Sequence, residues 1–261
     1  MRTKHNIDIF QQRLLTDTTP FAIREAFNHL RTNLMYTRHD KEGCPIFAVT
    51  SVVASAGKST VLSNIAVSYA MASKKVLLID ADMRAPMQYR IFETKKKGKG
   101  LSDLLSGLVT DDSEAIVNAH MDGLYLLPAG IKPPDPSELI MSNRFETFLK
   151  KWSTEYDVIF IDFPPIGIVT DALTIHDLIT GYILVTRSGK SDARSVRSLI
   201  EDMRQLNANI VGVVLNDIDA KAGGYTSHYY GRYGRYYGYG RYGDDNSNNS
   251  NNSNNPSQKD G

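Results

Sequence analysis

Six short apolar runs punctuate the middle of the chain: IFAVTS (46–51), VLLID (76–80), LYLLP (124–128), DVIFID (157–162), YILVTR (182–187) and IVGVVLN (210–216). They are apolar at successive positions rather than at every second one. That is the pattern of strands covered on both faces. Helical stretches separate them. The alternation predicts an α/β fold, a mostly parallel sheet with helices on both faces. Upstream, Phe21, Ile23, Ala26, Phe27, Leu30, Leu34 and Met35 follow Pro20 at roughly helical spacing. They predict one helix over 21–35, with Pro20 at its first position. Downstream, NSNNSNNSNN (246–255) carries too little apolar surface to offset its ordering entropy and is expected to be disordered. Three regions follow: an N-terminal segment with its helix (1–44), a globular domain (45–221) and a polar tail (222–261).

Composition narrows the function only a little. Hydrophobic content of 41% and charged content of 23% are ordinary for a globular protein. A net charge of +1 gives no overall field toward nucleic acid or membrane, and no nucleic-acid partner is expected. The one cysteine, Cys44, excludes an internal disulfide framework and fits a reducing compartment. The start, MRTKHNIDIFQQRLL, has no apolar core of signal-peptide length. No segment approaches the roughly 18 apolar residues of a membrane span, so a membrane role would need a partner.

The first run leads into SVVASAGKST, and VLSNIAVSYAMA continues as an amphipathic helix. A strand, a loop ending in Gly57-Lys58-Ser59 and a helix form a phosphate-binding arrangement. Backbone N–H groups of Ala54, Ser55, Ala56, Gly57, Lys58, Ser59 and Thr60 can cradle phosphate oxygens. Lys58 suits the β and γ phosphates, and the Ser59 hydroxyl suits Mg²⁺. The full pattern begins with Gly, where this chain has Val52. Two other strands end in carboxylates: VLLIDADMR in Asp80 and Asp82, VIFIDFPP in Asp162. Ligands of open α/β sheets bind at the carboxyl ends of strands. Three carboxylates there call for a cation, although Asp also caps helices that follow strands.

Those motifs resemble the Walker A, Walker A′ and Walker B of the bacterial protein-tyrosine kinases of capsular and exopolysaccharide synthesis. GLSDLLSG (100–107), AGIKPPDPSELI (129–140), GVVLND (212–217) and the Tyr-rich tail extend the likeness over about residues 20–242. The resemblance implies a P-loop NTPase-like fold using ATP and Mg²⁺. It implies metal held by Ser59, Asp162 and one of Asp80 and Asp82, here Asp80. The other, here Asp82, would take the tyrosine proton, with Lys58 as the remaining catalytic group. The acceptors would be Tyr225, Tyr229, Tyr230, Tyr233, Tyr236, Tyr237, Tyr239 and Tyr242, phosphorylated in trans. The partners implied are a membrane-embedded adaptor that recruits a cytoplasmic kinase to the inner face of the plasma membrane, a counteracting tyrosine phosphatase, and further copies in a ring, as large as an octamer. The family's ring motif E-x-x-R-x-x-R reads here Glu25, Asn28, Arg31, which leaves Glu25 and Arg31 as its oligomerisation contacts. The family's loop carries Pro-Gly where this chain has Ala54-Ser55, a change compatible with the fold where Ser55 need not adopt positive φ.

A second reading shares the P-loop and the strand-end aspartates: a non-kinase ATPase switch of the partition or division-site type. Such proteins carry a lysine early in the loop, where this chain has Val53. They also have no use for eight of fourteen tyrosines lying beyond residue 221. Arg232, Arg235 and Arg241 among those rings could instead suit RNA stacking. The basic stretch ETKKKGKG (93–100) reads as a solvated loop. His176 forms no pair at metal-ligand spacing, and Trp152 reads as packing.

Overall fold

In the computed structural model the described residues are 14–37, 43–94, 98–166 and 171–218. Their elements in chain order are α1 (Phe21–Tyr36), β1 (Ile46–Ser51), α2 (Lys58–Met71), β2 (Val76–Asp80) and the short α3 (Gln88–Ile91). Next come α4 (Leu101–Ser106), a 3₁₀ turn (Asp112–Glu114), β3 (Val117–Asn118), β4 (Leu124–Leu127), α5 (Pro136–Ile140), α6 (Asn143–Trp152) and β5 (Val158–Asp162). A 3₁₀ segment (Asp171–Leu178), β6 (Gly181–Arg187), α7 (Ala193–Gln205) and β7 (Ile210–Asn216) complete them. The six apolar runs are six of the seven strands. The seventh, β3, is two residues long and has no run to announce it.

The sheet has the order β3-β4-β2-β5-β1-β6-β7. Every neighbouring pair is parallel except β3 with β4. The chain crosses from β1 to one side of the sheet and later, from β5 to β6, to the other. The carboxyl end of β1 therefore lies at a switch point, where such sheets bind ligands.

Burial on both faces is complete in β1, where Ile46 and Ala48 face one core and Phe47 and Val49 the other. Helices α4, α5, α6 and α7 cover the first face, with Trp152 fully buried and its indole N–H donating to Asp112 at 2.7 Å. Helices α1 and α2 cover the second.

Helix α2 departs from the amphipathic expectation, because twelve of its fourteen residues are buried. Its polar residues face protein rather than water. Ser63 meets Gln88, the Asn64 side-chain oxygen accepts from the Leu15 N–H, and Ser68 accepts from Arg31. Helix α1 supplies the outer cover through Phe27, Leu30 and Leu34. Pro20 is the N-cap of α1 rather than its first helical residue, and its carbonyl accepts from the Ile23 and Arg24 N–H groups.

Candidate active site

Register brings the candidate carboxylates together. Asp80 and Asp162 are Cα partners on β2 and β5, and Asp162 pairs in turn with Val49 on β1. Two residues past Val49 the chain leaves the sheet as the loop 52–57. Gly57 is at φ +90°, and a Cβ there would collide with the Asn216 amide. Helix α2 starts at the next residue with no side chain capping it, so its first N–H groups remain open to an anion. The loop is braced from the other side of β1. The Asn216 amide donates to the Ala56 carbonyl at 3.0 Å, and the Arg187 guanidinium donates to the Ser55 carbonyl at 3.3 Å. Arg187 is held in turn by Asp217 at 2.7 Å.

Ser55 is exposed at φ +60°. The loop therefore does demand the left-handed conformation at this residue, contrary to the condition under which serine would be neutral. The cost is about 1 kcal/mol for a residue with a Cβ.

Lys58 does not extend along the loop. Its ammonium sits 3.1 Å from Asp82 Oδ2, 3.0 Å from Asp162 Oδ1 and 3.3 Å from Ser59 Oγ. Burial works against its charge, but the carboxylates of Asp162 and Asp82 outweigh that and hold it above its ordinary range. Asp80 is fully buried. Burial and then the Asp162 charge push its carboxyl up to about 8. Three backbone N–H groups close on it: Asp82 on Oδ1, Met87 and Gln88 on Oδ2. Asp80 thus shapes the turn that presents Asp82, whose Oδ1 accepts from the Ala85 N–H. Asp80 Oδ1, with one donor, keeps a lone pair for other use.

Lys58, Ser59, Asp80, Asp82 and Asp162 therefore form one cluster beside the loop, which carries Ala54, Ser55, Ala56, Gly57 and, opening α2, Thr60. Glu25 and Arg31 lie apart on α1. Arg31 donates to the Ser68 carbonyl at 2.5 Å and to its hydroxyl at 2.9 Å, while Glu25 accepts from the Asn28 amide at 2.9 Å. The eight tail tyrosines lie outside the described residues. Sequence reasoning assigned no role to Gln88, Arg187, Asn216 or Asp217. Arg187 and Asn216 end strands on the ligand side and Asp217 follows directly, so the rule that found the aspartates could have found them. Gln88 has no such signal.

An AAA-domain family profile matches residues 46–211. The tyrosine-protein kinase CpsD of Streptococcus agalactiae serotype III is 35% identical over 201 residues, which are 77% of this chain and 85% of CpsD. The chain belongs to the bacterial tyrosine-protein kinase family. Solved structures agree. The chimerical protein CapA2B2 superposes with a TM-score of 0.74 at 33% identity, covering 79% of this chain and 90% of that one. The kinase domain of the Escherichia coli tyrosine kinase ETK gives 0.72 at 30%, covering 82% and 86%. The division-site reading gives way to this kinase membership, in keeping with the absence of lysine at Val53.

The residues present fit Mg²⁺ with a nucleotide. Among the described residues no group of three His, Cys, Asp or Glu side chains is arranged to hold a metal alone. Mg²⁺ seldom asks for that, taking one or two carboxylates and completing its shell with phosphate and water. Three buried carboxylates beside a single lysine, at the open start of a helix, are such a donor set.

Proposed function

We propose that this kinase transfers the γ-phosphoryl group of ATP to tyrosines of its own C-terminal tail, from one subunit to another, and so regulates the synthesis or export of a capsular or extracellular polysaccharide. The observation that carries the reading is the cluster itself. A phosphate loop, a lysine and three buried carboxylates meet beside the end of β1, and the chain leaves β7 at Asn216, whose amide braces that same loop.

Phosphoryl transfer asks the protein mainly for positioning and charge. The open N–H groups of loop and helix hold the phosphates. Ser59 and Asp162, with the free lone pair of Asp80, are the groups suited to Mg²⁺, which would neutralise charge on the phosphates. Lys58 turns from its carboxylates toward the β and γ phosphates. Asp82 receives the proton of the attacking tyrosine as the new O–P bond forms and the bond to the β–γ bridging oxygen breaks, leaving ADP. Arg187 and Asn216 keep the loop in register.

Several tyrosines set among glycines can reach one site in turn. Transfer to a neighbouring subunit's site is read as favouring a ring-like homo-oligomer. The kinase is read as cytoplasmic, brought to the inner face of the plasma membrane by an adaptor chain and reset by a phosphatase. No helix among the described residues is long and apolar enough to cross a membrane itself.

A mixing experiment tests transfer between subunits. A variant with all eight tail tyrosines changed to Phe supplies intact sites, and Asp162→Asn supplies intact tails. With Mg·ATP, phosphotyrosine is expected on the Asp162→Asn chain only in the mixture. An unlabelled Asp162→Asn chain in the mixture would exclude trans transfer.

A further inference from the structure

Gln88 opens a four-residue helix just after the Asp80–Asp82 turn, and it is fully buried. Its amide lies among three elements of the site. Nε2 donates to Asp162 Oδ2 at 2.8 Å and to the Ser59 carbonyl at 3.3 Å, and Oε1 lies 2.7 Å from Ser63 Oγ. The orientation is fixed by chemistry. A carboxylate and a carbonyl accept only, so the NH₂ group must face them, and the amide oxygen must face the hydroxyl. The Gln88 backbone N–H meanwhile holds Asp80. One residue thus ties the Walker B strand, the phosphate-loop helix and the Walker A′ turn.

Asp162 shows why this matters. Its carboxylate is fully buried, with Oδ1 on Lys58 and Oδ2 on Gln88. A separate donor on each oxygen opposes rotation of the group. Without the amide, Oδ2 is a buried acceptor lacking its donor, and the carboxylate is free to turn onto Lys58. An apolar side chain of the same length would fill the space without burying an amide. The polar choice therefore serves the carboxylate rather than the packing.

We infer that Gln88 is a positioning residue: it locks the Asp162 carboxylate against the phosphate-loop helix, so that Mg²⁺ and nucleotide bind as a coupled pair. This rests on reading the site as one for Mg·ATP. Partners that orient a metal-binding carboxylate are typically worth about 10- to 100-fold in metal affinity or activity.

The test measures binding, not phosphorylation. The affinity of the full chain for a fluorescent N-methylanthraniloyl ADP is taken with Mg²⁺ and again in EDTA, and their ratio is the Mg²⁺-linked gain. Gln88→Met should cut that gain by about tenfold or more while leaving the affinity in EDTA unchanged. Ser63→Ala, which removes the hydroxyl shared between the amide oxygen and the Ser59 carbonyl, should cut it less, in the same direction. An unchanged gain in Gln88→Met overturns the inference, and so does an equal loss with and without Mg²⁺, which marks a purely structural role. Should Gln88→Met fail to fold, Ser63→Ala decides, and a wild-type gain in that variant overturns the inference. Absence of any gain in wild type overturns the Mg·ATP reading itself, and the inference with it.

Discussion

The Lys58 ammonium lies 3.0 Å from Asp162 Oδ1, and the residue as a whole is only 8% exposed. A lysine facing only ligand could be removed without harm to the fold, but this one also compensates buried carboxylates. Breaking a buried pair by removing one partner costs about 3 kcal/mol or more. Lys58→Met should therefore lower the Tm by about 6–12 °C as well as abolish labelling. Adding Asp82→Asn should recover part of the Tm and none of the activity. Differential scanning calorimetry checks this, and a Tm equal to wild type in the single variant would contradict the charge-compensating role.

Ser55 offers a gain. Its side chain is exposed and its φ is +60°, so Ser55→Gly removes strain without removing a buried contact. The relief of about 1 kcal/mol is partly offset by the greater freedom of glycine in the unfolded chain. Ser55→Gly should keep or slightly raise the Tm and tighten ADP binding. Ser55→Val, β-branched in the left-handed region, should lower both. Isothermal titration with Mg·ADP separates the two directions.

These two positions mark where sequence and structure part. The sheet was legible because fully buried strands are unbroken apolar runs, and the strand-end rule located the aspartates without any structure. Helix α2 was legible as a helix but not in its environment. Ser63, Asn64 and Ser68 look like a wet face, and only the arrival of Gln88, Leu15 and Arg31 from elsewhere in the chain makes them dry. The φ of Ser55 depends on the path of the loop, and the role of Gln88 depends on three elements meeting. Neither leaves a periodic trace.

Arg31 carries the same lesson into assembly. Its guanidinium pins α1 to α2 through Ser68 within the subunit. Arg31→Ala should therefore destabilise the protein by about 1.5–3 kcal/mol, the range for a hydrogen bond to a charged group. Glu25→Ala should change Tm little. A loss of oligomer on Glu25→Ala at unchanged Tm would report an intersubunit contact, whereas loss on Arg31→Ala alone would not. Asn28→Arg restores the family's charge pattern and should raise the mass measured by light scattering if the ring is limited by that residue.

Phosphorylation of the tail should dissolve the oligomer. Each phosphate adds about −1.5 to −2 charges at pH 7, so eight bring on the order of −12 to −16 to a weakly basic segment. Such a tail is repelled by a site built of carboxylates and by its own copies. Sedimentation velocity before and after ATP should show a fall in mass for wild type, and an oligomer that persists for the eight-Phe variant. Multiple tail phosphates with no change in mass would defeat electrostatic release while leaving the kinase activity standing.

Mapping phosphotyrosine on the purified chain after incubation with Mg·ATP addresses the catalytic claim most directly. Phosphate is expected on several of Tyr225, Tyr229, Tyr230, Tyr233, Tyr236, Tyr237, Tyr239 and Tyr242, with a rate lowered by about 10²-fold or more in Asp82→Asn if that carboxylate is the base. Asp162→Asn alone should show none. A wild-type chain that remains unphosphorylated beside its candidate adaptor peptide, or an Asp162→Asn chain labelled as fully as wild type, would contradict the assignment of this cluster as the site of tyrosine phosphorylation.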